Sequence, residues 1–459
     1  MQSKNSQNWL NFQENNGKIN HFFKKYAVST LAYRCGMVKQ KGIPVVILLM
    51  TVFSLPFTKC NMYQYFNEKS AGFNKDALYT LMRSPNIGWR NFLKLLALKA
   101  IGFFASLSND KTDSVLIADS TILERKRAKK VELCSRVYDY VEKKFTKGFR
   151  AIFLGHSDGN SFIPIDFSLM SASKANLILH DSTKIINSRS CGGQRRKEAK
   201  LPTVELLVRM LKMAKQSGVK ASHILMDSWF CTPKTIKQVA NYFSPICMAK
   251  KTSKIHYCTE NGNKTLKELY RTSKKRPGRA KWLTSICVSC KNELEVRIIF
   301  VRHKYQSKEW IALLTTDKST SEEEIIRLYG LRWDIEVFFR TIKQHLGFNK
   351  GVQVRDFDSI VGHVTIVSAR YIFLSVDQRK NKDVRSLGTL FRACCQELES
   401  ISLTDSVYRI LGILFDKLTA EIPESTKVIE GIFQQIIANS LEEYFNTGNK
   451  QHENLAKVA

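Results

Sequence analysis

The chain is short of acid. Only 41 Asp and Glu stand against 72 Lys and Arg, leaving a formal charge of +31 over 459 residues. The deficit excludes no fold, but it makes a polyanion the expected partner, because positive charge attracts and steers phosphate backbones. Association with ribosomes or a membrane surface would give the same balance. A disulfide framework is also missing: the 11 Cys are odd in number and scattered, as free thiols in a reducing compartment would be. The CxxC of Cys287 and Cys290 has no second pair and no paired His nearby, so a β-strand is expected there rather than zinc. The opening "MQSKNSQNWLNF" has no early apolar region, and so reads as no signal peptide. The most apolar run, "IPVVILLMTVFSLPF" (43–57), falls short of the roughly 20 residues of a membrane span and is interrupted by proline, which predicts a buried helix. No internal repeat is found. The expectation is a cytoplasmic protein without a membrane partner.

What is present is enough for a folded globular protein. A hydrophobic content of 44% with 10% aromatic residues supports packed cores, and the length allows roughly two to four domains. Residues 1–108 read as helices with interspersed Lys and Arg, as a small DNA-binding region requires or as a solvated basic face would show. The pattern changes at 114. "SVLIADS", "KGFRAIFLGHS" and "SFIPIDFSLMS" read as three successive strands with a hairpin at "DGN". "RSCGGQRRKEAKLP" reads as a basic loop, "TVELLVRMLKMAKQSG" as a helix, "SHILMDSWF" as a strand and "TPKTIKQVANYF" as a helix. Strands followed by strand–helix alternation imply a mixed α/β sheet over 109–244. Residues 245–316 read as an inserted β subdomain, 317–375 return to helix, and 376–459 form a helical C-terminal region with a disordered tail.

The segment "YGLRWDIEVFFRTIKQHLGF" (329–348) carries the chemistry. Read as one helix, Tyr329, Arg332, Glu336, Arg340 and Lys343 recur by steps of three or four and share a face, while Leu331, Ile335, Phe338, Ile342 and Leu346 form an apolar stripe. Two further acids, Asp119 in "IADST" and Asp227 in "MDSWF", end apolar strands, where α/β proteins place ligands. Three converging carboxylates would make an oxygen cage for Mg²⁺ or Mn²⁺. Each also has a plainer reading: the aspartates as turn or helix caps, Glu336 as a surface ion pair. His156, Asp158 and Asp166, near strand ends, take the turn or surface reading.

"YGLRWDIEVFFRTIK" fills every position of Y-x2-R-x3-E-x6-K, and with the two aspartate contexts the chain resembles bacterial insertion-sequence transposases of the DDE type, the hairpin-forming insertion-sequence-four group. The resemblance spans roughly 80–375. It implies an RNase H-like α/β catalytic core with a β-rich insertion, flanked by helical N- and C-terminal regions. It implies Asp119, Asp227 and Glu336 as catalytic metal ligands, with two Mg²⁺ or Mn²⁺ per site. Tyr329, Arg332, Arg340 and Lys343 are then DNA-binding. Trp310, in "EWIALLTT", becomes the candidate to stack on a flipped base, or an ordinary strand residue. The implied partners are the element's terminal inverted repeats, target DNA and a second copy of the chain. A non-catalytic DNA-binding derivative and an RNase H-like nuclease without strand transfer are the rival readings.

Overall fold

A computed structural model describes residues 17–399 apart from 40, 69–72, 108–113, 183–185, 261, 279, 291–293, 303–308 and 351–353. The described residues as far as Ala393 belong to one compact unit, which ends there. The helices and tail expected beyond 400, with their possible dimer contacts, lie outside the described residues, as do residues 1–16.

The framework is a mixed sheet of eleven strands among the described residues. β1 (Val115–Glu124), β2 (Ser135–Asp139), β3 (Lys144–Ser157) and β4 (Phe162–Met170) are antiparallel. β1 runs along one edge of β3, and β2 and β4 follow one another along the other. β5 (His223–Met226) and β6 (Ser244–Met248) then add parallel to β1, their crossovers covered by helices. β7 (His256–Thr259), β8 (Gly262–Thr265), β9 (Trp282–Cys290), β10 (Leu294–Arg302) and β11 (Trp310–Thr315) complete it, in the order β6-β11-β10-β9-β7-β8. These strands, expected as a separate insertion, continue the central sheet: Thr315 of β11 pairs with Ile246 of β6, and the boundary expected at 245 falls inside β6.

Six helices among the described residues precede β1: α1 (Gly17–Lys25), α2 (Val28–Arg34), α3 (Val45–Ser54), α4 (Met62–Glu68), α5 (Lys75–Met82) and α6 (Trp89–Ala105). After β4 come α7 (Cys191–Glu198), α8 (Thr203–Gln216), α9 (Pro233–Ala240), α10 (Leu266–Thr272), α11 (Glu322–Gly330), α12 (Trp333–Gln344) and α13 (Phe357–Lys380). α13 is the hub. It is buried along almost its whole length, long and apolar enough to cross a membrane by composition alone, yet enclosed by the rest of the fold. Its Phe373 meets Phe22 and Phe53 of the N-terminal helices and Phe57 of the turn after α3. Its Arg370 is fully buried and donates to the carbonyls of Val52, Phe53 and Leu346. The apolar run at 43–57 supplies α3, eight of whose ten residues are buried.

The segment expected as a loop at 189–202 is largely helix. Ser190 caps α7 by accepting the Gly193 N–H, and the glycines are there for contact rather than for a turn. A Cβ on Gly192 would lie 2.6 Å from Pro85 Cβ, and one on Gly193 would lie 2.3 Å from the Asn187 carbonyl oxygen. Two of the helix's basic residues point inward: Arg195 pairs with Asp358 at 2.6 Å, and Arg196 with both Glu132 (2.7 Å) and Asp358 (2.9 Å). The surface reading of Asp166 also fails, because it is buried and holds Arg90 through both oxygens at 2.7 Å. Asp158 does cap the β3–β4 turn, accepting the Asn160 and Ser161 N–H groups, and also pairs with Arg379.

Candidate active site

The parallel pairing of β1 with β5 ends at Ala118 and Met226. The next residue on each chain is an acid, so Asp119 and Asp227 emerge side by side from strands about 4.8 Å apart. Asp119 was expected to end its strand. It stands mid-strand instead, because β3 keeps pairing with β1 as far as Glu124. Asp227 does end β5: its Oδ1 accepts the Ser228 N–H at 2.6 Å and starts a 3₁₀ turn over Ser228–Phe230.

The third acid arrives on α12. The signature segment, expected as one helix, is two: α11 ends at Gly330, Leu331 and Arg332 make a turn, and α12 begins at Trp333. Both turn residues keep near-helical dihedrals, so the three-and-four spacing survives the break. Ile335, Phe338 and Ile342 are buried, and Phe338 packs on Phe153 of β3 (5.1 Å) and Phe162 of β4 (5.3 Å). That contact seats the helix and turns Glu336 toward β1. Arg332 Nη1 donates to Asp119 Oδ2 at 3.2 Å and to Glu336 Oε1 at 3.3 Å, joining the two acids.

The electrostatics place Asp227 in the same group. Burial pushes the Asp119 carboxyl up to about 6. The Ser120 N–H and Arg332 oppose the rise, while the charges of Glu336 and Asp227 add to it. Tyr329 is half-buried, which raises its phenol, and it lies within electrostatic reach of Arg332 and Asp227. Arg340 and Lys343 are exposed, and the charges of Glu124, Asp139 and Glu336 reach Lys343. Trp310 lies apart in its contacts: its ring stacks on Tyr270 (4.6 Å), meets Phe300 edge-on and carries Lys251 over its face (4.3 Å). Trp229, two residues beyond Asp227 and 46% exposed, went unnoticed in the sequence, where an exposed Trp and a core Trp look alike.

The family model described as the transposase DDE domain matches residues 110–373, more than half of the chain. The chain belongs to the transposase DDE domain family. A comparison with curated proteins finds no match. As a DDE-type transposase it is a DNA-processing enzyme by family, and DNA is the family's substrate. The family generally works with divalent metal ions.

The donor set suits such an ion. Carboxylate oxygens are hard ligands of the kind Mg²⁺ and Mn²⁺ take, and Asp119 feels the charges of both Glu336 and Asp227, although burial is the main cause of its raised value. Among the described residues, no three potential ligands stand close enough to hold an ion as they are. Instead Arg332 supplies the positive charge between Asp119 and Glu336.

The Asp119 environment has a stability consequence. Its folded value of about 6 lies above the ordinary 3.8. Between those values the unfolded chain has already released the proton while the folded one keeps it, so stability falls as pH rises through the window and the loss is complete above it. The expected loss in metal-free transposase is up to about 3 kcal/mol. In urea unfolding with a chelator, the parent should weaken from about pH 4 to pH 6, and Asp119→Asn should remove that component and be the more stable at about pH 8. Equal pH slopes for the two would show that Asp119 is not held this way.

Neighbouring Asp334 offers a control. It stands two residues before Glu336, about 160° around a helix, and its carboxylate takes the Ser157 hydroxyl at 2.6 Å, away from Arg332 and Asp119. Asp334→Asn keeps an acceptor for Ser157 and should retain DNA cleavage within a few-fold of the parent. A dead Asp334→Asn beside an active Glu336→Gln, in one cleavage assay, would reverse the assignment.

Proposed function

We propose that this transposase excises an insertion sequence by cutting at its terminal inverted repeats and joins the freed 3′-OH ends to target DNA, working as a homodimer with one active site for each end. The observation that carries this is that three acids from distant parts of the chain lie in one neighbourhood, though not yet close enough to share an ion. Asp119 and Asp227 leave adjacent parallel strands, and Glu336 is tied to Asp119 through Arg332. The RNase H-like reading of the core rests on the same arrangement of parallel β1, β5 and β6 beside antiparallel β3.

In this reading Asp119, Asp227 and Glu336 hold one or two divalent ions. The chemistry those ions supply when bound is activation of the attacking oxygen and stabilisation of the leaving oxygen in an in-line phosphodiester displacement. The chain's own cations position the DNA. Arg340 and Lys343, exposed on α12, take backbone phosphates. Arg332, released from the two carboxylates, can do the same, and Tyr329 buttresses it. If a hairpin forms at the cut end, Trp310 must part from Tyr270 before it can receive an extruded base.

The test uses purified full-length protein, Mg²⁺, DNA carrying both flanks of the gene, and a plasmid target. Cleavage at inverted repeats with covalently joined products is the expected result. Cleavage without joined products would make the chain a metal nuclease, and binding without cleavage a non-catalytic derivative.

A further inference from the structure

The β2–β3 hairpin rises from the end of β1, where Glu124 pairs with Gly148 of β3 and Gly148 in turn pairs with Ser135 of β2. Its four-residue loop, 140–143, is built by Asp139, whose Oδ1 accepts the N–H groups of Val141 (2.8 Å) and Glu142 (3.2 Å). Lys143 closes it in the left-handed region. The two faces of the ribbon differ. Ser135 and Val137 point inward and are buried. On the other face Arg136 stands opposite Lys147, and Tyr138 opposite Phe145. Tyr140 extends that aromatic row, its ring 5.1 Å from Tyr138, while Phe145 is 5.2 Å from Tyr138.

Two features of this outer face work against a ribbon that meets only water. Like charges directly across a strand pair destabilise it, and among the described residues neither Arg136 nor Lys147 is paired with a carboxylate. Tyr140, Val141 and Phe145 are 66%, 91% and 60% exposed, a cluster of apolar groups that the described residues leave largely open to solvent, with Arg150 alone over the Tyr140 ring (5.4 Å). Cations alternating with aromatics suit one partner chemistry, a phosphate backbone carrying sugars and bases. The location agrees, because the charges of Glu124 at the hairpin's base and of Asp139 at its turn reach Lys343. A two-stranded ribbon also fits the width of the DNA major groove.

We propose that the β2–β3 hairpin is a DNA-docking ribbon that lies in a groove of the duplex beside the cleavage site, with Arg136 and Lys147 on the phosphates and Tyr138, Tyr140 and Phe145 against sugars and bases. The inference rests on the proposed reading of the neighbouring site as one that acts on DNA. The test measures binding of full-length protein, without divalent metal, to a labelled mixed-sequence duplex of about 30 base pairs over a range of salt. Arg136→Ala with Lys147→Ala should flatten the log–log salt slope by about 1.8, two phosphates' worth, without lowering the melting temperature. Tyr140→Ser with Phe145→Ser should weaken binding by about 10-fold and leave the slope unchanged. Parent-like binding by both variants overturns the ribbon, as does loss of self-association with DNA binding intact, which would assign the face to a second copy. A parent that shows no salt-dependent binding at all would instead bring down the DNA reading itself.

Discussion

Asp227→Asn protein is expected to bind duplex DNA at least as tightly as the parent and to cut it at least about 10³-fold more slowly, equivalent to about 4 kcal/mol of barrier. The two effects separate because they come from different parts of the molecule. Affinity comes from a chain with a formal charge of +31, and removing one acid can only help it. The proposed chemistry depends on the carboxylates, and Asp119 and Asp227 follow directly on Ala118 and Met226, the last pair of two parallel strands. Asn keeps the shape of the side chain and can still accept the Ser228 N–H that starts the 3₁₀ turn, so the fold has no reason to fail. Asp119→Asn and Glu336→Gln should behave alike. Anisotropy for binding and gel assays for cleavage in Mg²⁺, run on one preparation, check this. Cleavage within 10-fold of the parent by any of the three would remove that residue from the site.

A second large effect is expected far from the chemistry. Asp358 is 1% exposed and holds Arg195 and Arg196, which are themselves 8% and 11% exposed. Asp358→Ala leaves two buried guanidinium groups with Glu132 as the carboxylate that remains, on Arg196 alone. Breaking a buried pair by removing one partner costs about 3–5 kcal/mol, most of it the uncompensated charge. The loss should appear as a lower urea midpoint with an unchanged slope, and it should be weaker in a variant that also replaces Arg195 by Met. A stability within 1 kcal/mol of the parent would mean that α7 does not depend on this network.

That network also shows where sequence reading reaches its limit. "RSCGGQRRKEAKLP" has the glycines and charge of a loop, and local signals could say no more. The helix exists because Asp358 and Glu132, remote in sequence, accept its arginines, and because Pro85 and Asn187 press against its glycines. The placement of the two acids beside a buried strand was legible for the opposite reason: "VLIAD" and "ILMD" pass from fully buried apolar residues to an acid within one step. The extent of β1 beyond Asp119 was not, since its last five residues owe their strand conformation to β3. On the signature segment, periodicity found the buried face of Ile335, Phe338 and Ile342 but missed the break at Leu331 and Arg332, whose near-helical dihedrals leave the spacing intact. Nor could spacing reveal that Arg332 would bridge two acids. The β2–β3 hairpin has a sequence signal too, in the alternation of cations and aromatics through "SRVYDYVEKKFTK", weaker than the apolar run that marks the strand from "KGFR" onward.

Calorimetric titration of chelator-stripped full-length protein with Mn²⁺, on the parent and on Asp119→Asn, Asp227→Asn and Glu336→Gln, tests most directly whether three acids from separate parts of the chain form one metal centre. The expected result is measurable binding by the parent and at least about 10-fold weaker binding by each single variant, because each removes one oxygen ligand from a shared site. Three variants that bind Mn²⁺ as the parent does would contradict it, and Asp119, Asp227 and Glu336 would then be neighbours without a common ion.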